Sequence, residues 1–147
     1  SLKLVVLGRT DDKMALTYSE DIIYAGFVTE EEKTAVLENA RLLVMPSEYE
    51  SLSLVILESM AAGRPVLVNG RCAVLKGQCL RSNAGLYYTD FFEFEAGLNY
   101  ILSNKEAYCQ MCENGRKFVE ANYSWDKVVA DICNLIEELK STAGVEA

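Results

Sequence analysis

Residues 42–68 read LLVMPSEYESLSLVILESMAAGRPVLV, and this stretch decides the fold. Leu42 to Met45 is a short apolar run that Pro46 ends, as expected of a strand covered on both faces. Ser47 to Glu50 is a polar loop. Ser51 or Ser53 can cap a helix that runs through Leu54, Ile56, Leu57, Met60 and Ala61 to Gly63. Pro65 follows that stop, and Val66-Leu67-Val68 is a second apolar run. Strand, loop, helix, strand is the repeating unit of a parallel sheet.

The alternation continues in both directions. Towards the N-terminus, Leu2 to Leu7 is an apolar run closed by Gly8, and Ile22 to Ala25 is another, ended by Gly26. Thr29 followed by Glu32 is a capping box, and it opens a helix carrying Ala35, Val36, Leu37 and Ala40. The acidic run Glu30-Glu31-Glu32 suits the positive end of that helix dipole. Arg9 to Glu20 is polar, with room for a short helix. Towards the C-terminus, Gly70 to Asn83 reads as a basic, Gly-containing connection, and Ala84 to Tyr88 as a fifth strand. Helices are expected over about 90–103, 105–121 and 125–140. The last is amphipathic through Val128, Val129, Ile132, Leu135, Ile136 and Leu139. The pattern predicts an α/β fold: a Rossmann-like parallel sheet of about five strands flanked by helices. Residues 1–140 form one domain, and 141–147 a frayed tail. Ligands of such sheets lie at the carboxyl ends of the strands, here the loops after Gly8, Gly26, Met45, Val68 and Tyr88.

Composition narrows the functions open to this fold. Half of the 147 residues are hydrophobic, enough for a core without metal or disulfide staples. Lys and Arg number 14 against 22 Asp and Glu, a net charge of −8, which makes the surface a poor partner for nucleic acid. The chain has no histidine, so a Ser-His-Asp triad and a His-ligated zinc are excluded within it. No run of 18 apolar residues suggests a membrane span, and Ser1-Leu2-Lys3 leads into a strand without a signal peptide pattern. The five cysteines are odd in number, as in a reduced, cytoplasmic protein. Cys109 and Cys112 form a CxxC within a helical pattern and are read as packing residues on one helix face, not as a metal site.

The loop after Met45 is the place for chemistry. Amides at a helix start lack partners and, with the dipole, favour an anion such as a diphosphate. Glu50 sits at the loop tip and Glu58 within the helix. Each carboxylate can accept hydroxyl hydrogen bonds from one end of a ligand whose diphosphate rests on the helix N-terminus, which suits a nucleotide sugar. The simpler reading makes Glu50 a solvated loop acid and Glu58 an exposed helix acid. Arg71, Lys76 and Arg81 either line a cleft and meet phosphate or an anionic acceptor, or are a solvated loop. Tyr87, Tyr88, Phe91, Phe92 and Phe94 read as core rather than as a sugar platform.

Pro46-Ser47, Glu50, and Leu54 through Glu58 to Val66 together resemble the EX7E segment of family 4 (group 1) glycosyltransferases, retaining enzymes of the GT-B fold. Tyr24-Ala25-Gly26-Phe27-Val28-Thr29, Asn83-Ala84-Gly85-Leu86-Tyr87-Tyr88, Asn114-Gly115-Arg116 and Tyr123-Ser124-Trp125 extend the resemblance over about residues 2–135. It implies the C-terminal, donor-binding lobe of a two-lobed enzyme. The N-terminal lobe of the same protein would bind the acceptor. The enzyme would move a hexose from a nucleotide-diphosphate sugar to a sugar or lipid-linked acceptor, as in polysaccharide biosynthesis. The donor is a substrate, and no cofactor or metal is implied. Membrane contact is left to the full-length enzyme. By motif position Glu50, the residue assigned to catalysis, positions the donor sugar. Ser51, Leu52, Ser53, Leu54 and Val55 offer amides to sugar and phosphate, Glu58 accepts from the ribose hydroxyls, and Val28 lies by the base.

Three departures matter. Ser51 and Ser53 stand where the family usually has glycine, and Asn69-Gly70-Arg71-Cys72 replaces its Gly-Gly turn. Gly8-Arg9 with Lys13 resembles the phosphate-binding Arg and Lys after the lobe's first strand. The spacing to Ile22 instead makes Leu2 to Gly8 the second strand, with the first strand, its helix and that pair absent. A different class of function is a non-catalytic Rossmann-like module that binds a nucleotide or a protein. A response-regulator-like domain is disfavoured, because no acidic cluster follows the first strand.

Overall fold

The structure, a computed structural model, describes residues 2–9 and 17–143. Five strands and six helices follow one another as β1 (Leu4–Leu7), β2 (Ile22–Gly26), α1 (Glu30–Asn39), β3 (Leu43–Met45), α2 (Leu54–Ala61), β4 (Val66–Asn69), α3 (Ala73–Ser82), β5 (Gly85–Tyr88), α4 (Phe91–Ser103), α5 (Lys105–Tyr123) and α6 (Trp125–Ala143). Every strand pairing is parallel, as continuous apolar runs joined by helices require. The core is built around β4. Val66, Leu67 and Val68 have no exposed surface, and Ile56 and Met60 of α2 and Leu75 of α3 pack with Val66 and Val68. Two close approaches tighten it. Gly115 of α5 lies against the Met60 backbone of α2, and Gly85 of β5 lies against the Val66 carbonyl of β4.

The strands fall into two sheets, β1-β2 and β3-β4-β5, and among the described residues no strand pairing joins them. The amides of Leu4 and Gly8 donate to Asp21 and Gly26 on the β2 side, both at 2.8 Å. By alternation those of Val5 and Leu7 face the opposite edge of β1. Likewise the Leu43 amide donates to Pro65 beside β4 at 3.0 Å, so the Val44 amide faces the free edge of β3. The expectation of strands covered on both faces therefore holds for β4 and fails for β1 and β2. Leu4, Val5 and Ile23 are exposed, and among the described residues no layer covers them.

Other expectations are corrected. The segment read as a basic connection contains α3, a ten-residue helix. Buried Gln78 and Ser82 interrupt its apolar stripe, and Gly77 lowers its helix propensity, so the pattern looked like a loop. The aromatic cluster is only partly core. Tyr88 and Phe94 are half-buried and meet edge to face at 5.1 Å, whereas Phe91 and Phe92, in the first turn of α4, are exposed. α6 runs beyond residue 140, to Ala143. It packs on α5, and its apolar stripe from Val129 to Leu139 is exposed. Among the described residues no helix is long and apolar enough to cross a membrane. Cys109 is exposed and Cys112 half-buried, so only one end of the CxxC packs.

Candidate functional site

The loop between β3 and α2 is held from beneath at both ends. Asn69, at the end of β4, donates from Nδ2 to the Pro46 carbonyl at 3.0 Å, and its Oδ1 accepts from the Arg71 amide at 3.0 Å. Gln78 of α3, fully buried, donates from Nε2 to the Leu52 carbonyl at 2.5 Å. Between these anchors Glu48 stands 3.9 Å from the Arg71 guanidinium, both exposed. Glu50 is half-buried, and among the described residues nothing bonds its carboxylate.

The turn into α2 departs from the expected side-chain cap. Ser53 is the N-cap, but its backbone is left-handed, φ 59 and ψ 79, and its hydroxyl caps nothing. Ser53 is buried, and its Oγ has no hydrogen-bond partner among the described residues. A left-handed N-cap swings the hydroxyl away from the first-turn amides, since the usual cap needs an extended backbone. Ser51 is exposed in the bend before it. Leu52 and Leu54 expose their side chains and Val55 is half-buried, so these residues offer a ligand mainly their backbone. The Leu54 and Val55 amides, first in the helix, are beyond the reach of its internal ladder.

Glu58, half-buried on α2, faces α1 and is not an isolated surface acid. Lys33 Nζ donates to its Oε1 at 3.0 Å and lies 3.0 Å from Oε2, with Glu30 on a third side at 2.7 Å. Hydrogen bonds from the ammonium to Glu30 and then Glu58 hold the Lys33 pKa above its ordinary value of 10.5. The capping box forms as expected: Thr29 Oγ1 accepts from the Glu32 amide at 3.2 Å, and Glu32 Oε2 from the Thr29 amide at 2.8 Å. That box fixes the start of α1. Val28, half-buried, therefore leads directly into the helix that presents Lys33 to Glu58. Gly26 is left-handed, φ 66, which turns the chain there and leaves Phe27 exposed. Arg9, at the end of β1, stacks its guanidinium 5.5 Å from the Phe27 ring centroid. Lys13 lies outside the described residues.

A cleft of about 430 Å³ opens at the carboxyl ends of β3, β4 and β5, lined by Pro46, Asn69, Arg71, Tyr88, Asp90 and Phe94 among others. Arg71 borders this cleft. Lys76 is turned onto the Tyr87 ring, 4.5 Å from its centroid, and Arg81 lies in the last turn of α3. The predicted residues therefore form two groups. The 50–55 loop and Arg71 crown the three-stranded sheet, while Val28 leads into α1, whose Lys33 bridges to Glu58. Lys33, Asn69 and Gln78 carried no motif. Their partners lie 25, 23 and 26 residues away in sequence, beyond any periodic signal.

Parallel strands joined by helices, with a cleft at their carboxyl ends, make this a Rossmann-like α/β lobe. The sequence profile of the glycosyl transferases group 1 matches residues 1–104. The chain belongs to that family. It is 28% identical over 146 residues to an uncharacterised glycosyltransferase of Methanocaldococcus jannaschii, covering 90% of this chain and 36% of that protein. It is also 28% identical over 142 residues to the MMP alpha-(1->4)-mannosyltransferase of Mycolicibacterium hassiacum, covering 92% and 34%. Sucrose-phosphate synthase from Thermosynechococcus elongatus superposes with a TM-score of 0.78 at 22% identity, over 95% of this chain and 39% of that one. WaaG, a glycosyltransferase involved in lipopolysaccharide biosynthesis, does so at 0.67 and 20%, over 88% and 37%. These two superpositions bear on the fold, which is that of GT-B glycosyltransferases. The chain spans about a third of the length of the curated relatives.

Proposed function

We propose that this chain is the donor-binding lobe of a retaining, family 4 glycosyltransferase. The enzyme moves a hexose from a nucleotide-diphosphate sugar to a sugar or lipid-linked acceptor bound by a second lobe. The observation that carries the reading is the loop of residues 46–55. It is pinned by Asn69 and Gln78, ends on the open amides of α2, carries the carboxylate of Glu50, which has no partner among the described residues, and is followed by Glu58. The donor diphosphate would rest on the Leu54 and Val55 amides, where helix-end donors stabilise the charge that develops on the leaving group. Glu50 would hold the sugar hydroxyls, and Glu58 those of the ribose. The mannosyltransferase among the relatives agrees with hexose transfer.

The division of the sheet supports the reading of β1 as the second strand of a longer lobe. Rossmann-like sheets order their strands 3-2-1-4-5-6. With β1 to β5 counted as strands two to six, the first strand falls in the gap between β1 and β3, against the amides of Val5, Leu7 and Val44. Its helix and the phosphate-binding pair would come with it.

The test is titration with UDP, GDP and ADP, followed by amide shifts, repeated with Glu58→Ala. Shifts confined to residues 50–58 and 26–30 for one nucleotide, and lost in the variant, are expected. If transfer by the longest natural polypeptide that contains this chain is untouched by Glu58→Ala, the chain is a non-catalytic module and the proposal is wrong.

A further inference from the structure

Lys33 has a place in the site that no motif announced. Its ammonium is surrounded within the chain, by Glu30 at 2.7 Å and both Glu58 oxygens at 3.0 Å, and its side chain is 22% exposed. Glu58 Oε2 is out of contact with solvent, although the residue as a whole is half-buried. Oε2 is thereby closed to a ligand, and the Oε1 side of the carboxylate is what remains for one. Taking Glu58 as the acceptor of the ribose hydroxyls, as proposed above, we infer that Lys33 is a positioning residue that sets the direction in which Glu58 receives the ribose.

A carboxylate has about four lone-pair sites. With Lys33 against both oxygens and Oε2 sealed, the lone pair left on Oε1 points in a fixed direction, and a ribose hydroxyl can meet it without the carboxylate turning. Lys33 does this through Glu58, because its own charge is already taken up by two carboxylates. Without it a half-buried carboxylate loses its countercharge and is free to rotate towards water or another donor. Its location adds a second effect. Lys33 sits on α1, directly after the capping box, so the bridge to Glu58 also sets the distance from Val28 to the ribose-binding edge.

The experiment compares each of UDP, GDP and ADP with its 2′-deoxy counterpart, by calorimetry, on the longest natural polypeptide that contains this chain. Wild type, Lys33→Met, Lys33→Arg and Glu58→Ala are measured. Wild type is expected to prefer the ribonucleotide roughly tenfold, the worth of one hydrogen bond to a charged acceptor. Lys33→Met should lose most of that preference, and Lys33→Arg should keep it. A Lys33→Met variant that binds both forms more weakly but with the wild-type ratio overturns the inference, since that is what a merely structural lysine would do. If Glu58→Ala keeps the wild-type ratio, or if no nucleotide binds wild type, the assignment of Glu58 has failed, and this inference with it.

Discussion

Replacing Ser53 by glycine should stabilise the chain. Ser53 pays twice for its position: its backbone is left-handed, φ 59, and its buried hydroxyl has no partner among the described residues. A non-glycine residue there costs about 1 kcal/mol or somewhat more. An unsatisfied buried hydroxyl costs about 1 kcal/mol more. Glycine removes both, and its looser unfolded chain offsets about 0.5–1 kcal/mol of the gain. The net is about 1–1.5 kcal/mol, or about 2–6 °C in Tm for a domain of this size. Ser53→Ala separates the contributions, because alanine removes the hydroxyl and keeps the Cβ in the left-handed region. Thermal melts and guanidinium titrations of the three proteins should rank glycine above alanine and alanine above serine. A Ser53→Gly variant no more stable than the parent would refute the strain. An alanine variant equal to the glycine one would show that the backbone contributes nothing.

Gly85→Ala should destabilise strongly. The added Cβ would fall on the Val66 carbonyl, 2.6 Å from Val66 Cγ2 and 2.8 Å from its carbonyl carbon, so β4 and β5 must part. About 3 kcal/mol is expected, read as a drop in denaturation midpoint with faster amide exchange at Val66 and Leu67. Burial pushes the Cys79 thiol up to about 12. At pH 8 it is then ~10⁻⁴ thiolate, and a thiol reagent should modify exposed Cys109 and Cys133 while Cys79 reacts only on unfolding. Lys33 has a folded-state pKa above its ordinary 10.5, so its stabilising contribution is complete below that pH and lost as pH rises through the folded value. The Tm gap between wild type and Lys33→Met should stay level up to about pH 10 and close above it.

Most elements were legible because each is a local signal. Runs such as Val66 to Val68 and stops such as Pro46 and Gly63 need no tertiary information. α3 was hidden because its inner face carries Gln78 and Ser82, polar side chains buried for what they bond rather than for hydrophobicity. The exposure of Phe91 and Phe92 was hidden because composition does not tell which way a first helical turn faces. In the site, Glu50, Glu58 and the serine turn stand on motif spacing. The bridge from Lys33 to Glu58, and the hold of Gln78 on Leu52, join elements that only the fold brings together. The left-handed Ser53 was hidden for another reason: a serine before a helix usually signals an extended cap.

Among the described residues no ladder joins β1-β2 to the three-stranded sheet, and for this chain taken alone that has an energetic consequence. Among the described residues the two are held by the packing of α1, with its buried Leu37, on α2, and by side-chain bonds: Lys33 on Glu58, the Arg64 guanidinium on the Glu38 carbonyl, and the Tyr108 hydroxyl on the Arg41 carbonyl at 2.8 Å. Such contacts break with less loss than a shared ladder, so the β1-β2-α1 segment can open as a unit while the core around β4 stays folded. Val28 and Lys33 travel with that segment, and Glu58 stays behind. Any molecule that touches both Val28 and Glu58 is therefore a clasp across that seam. Its binding energy should appear as slower amide exchange in β1 and β2, far from the atoms it contacts.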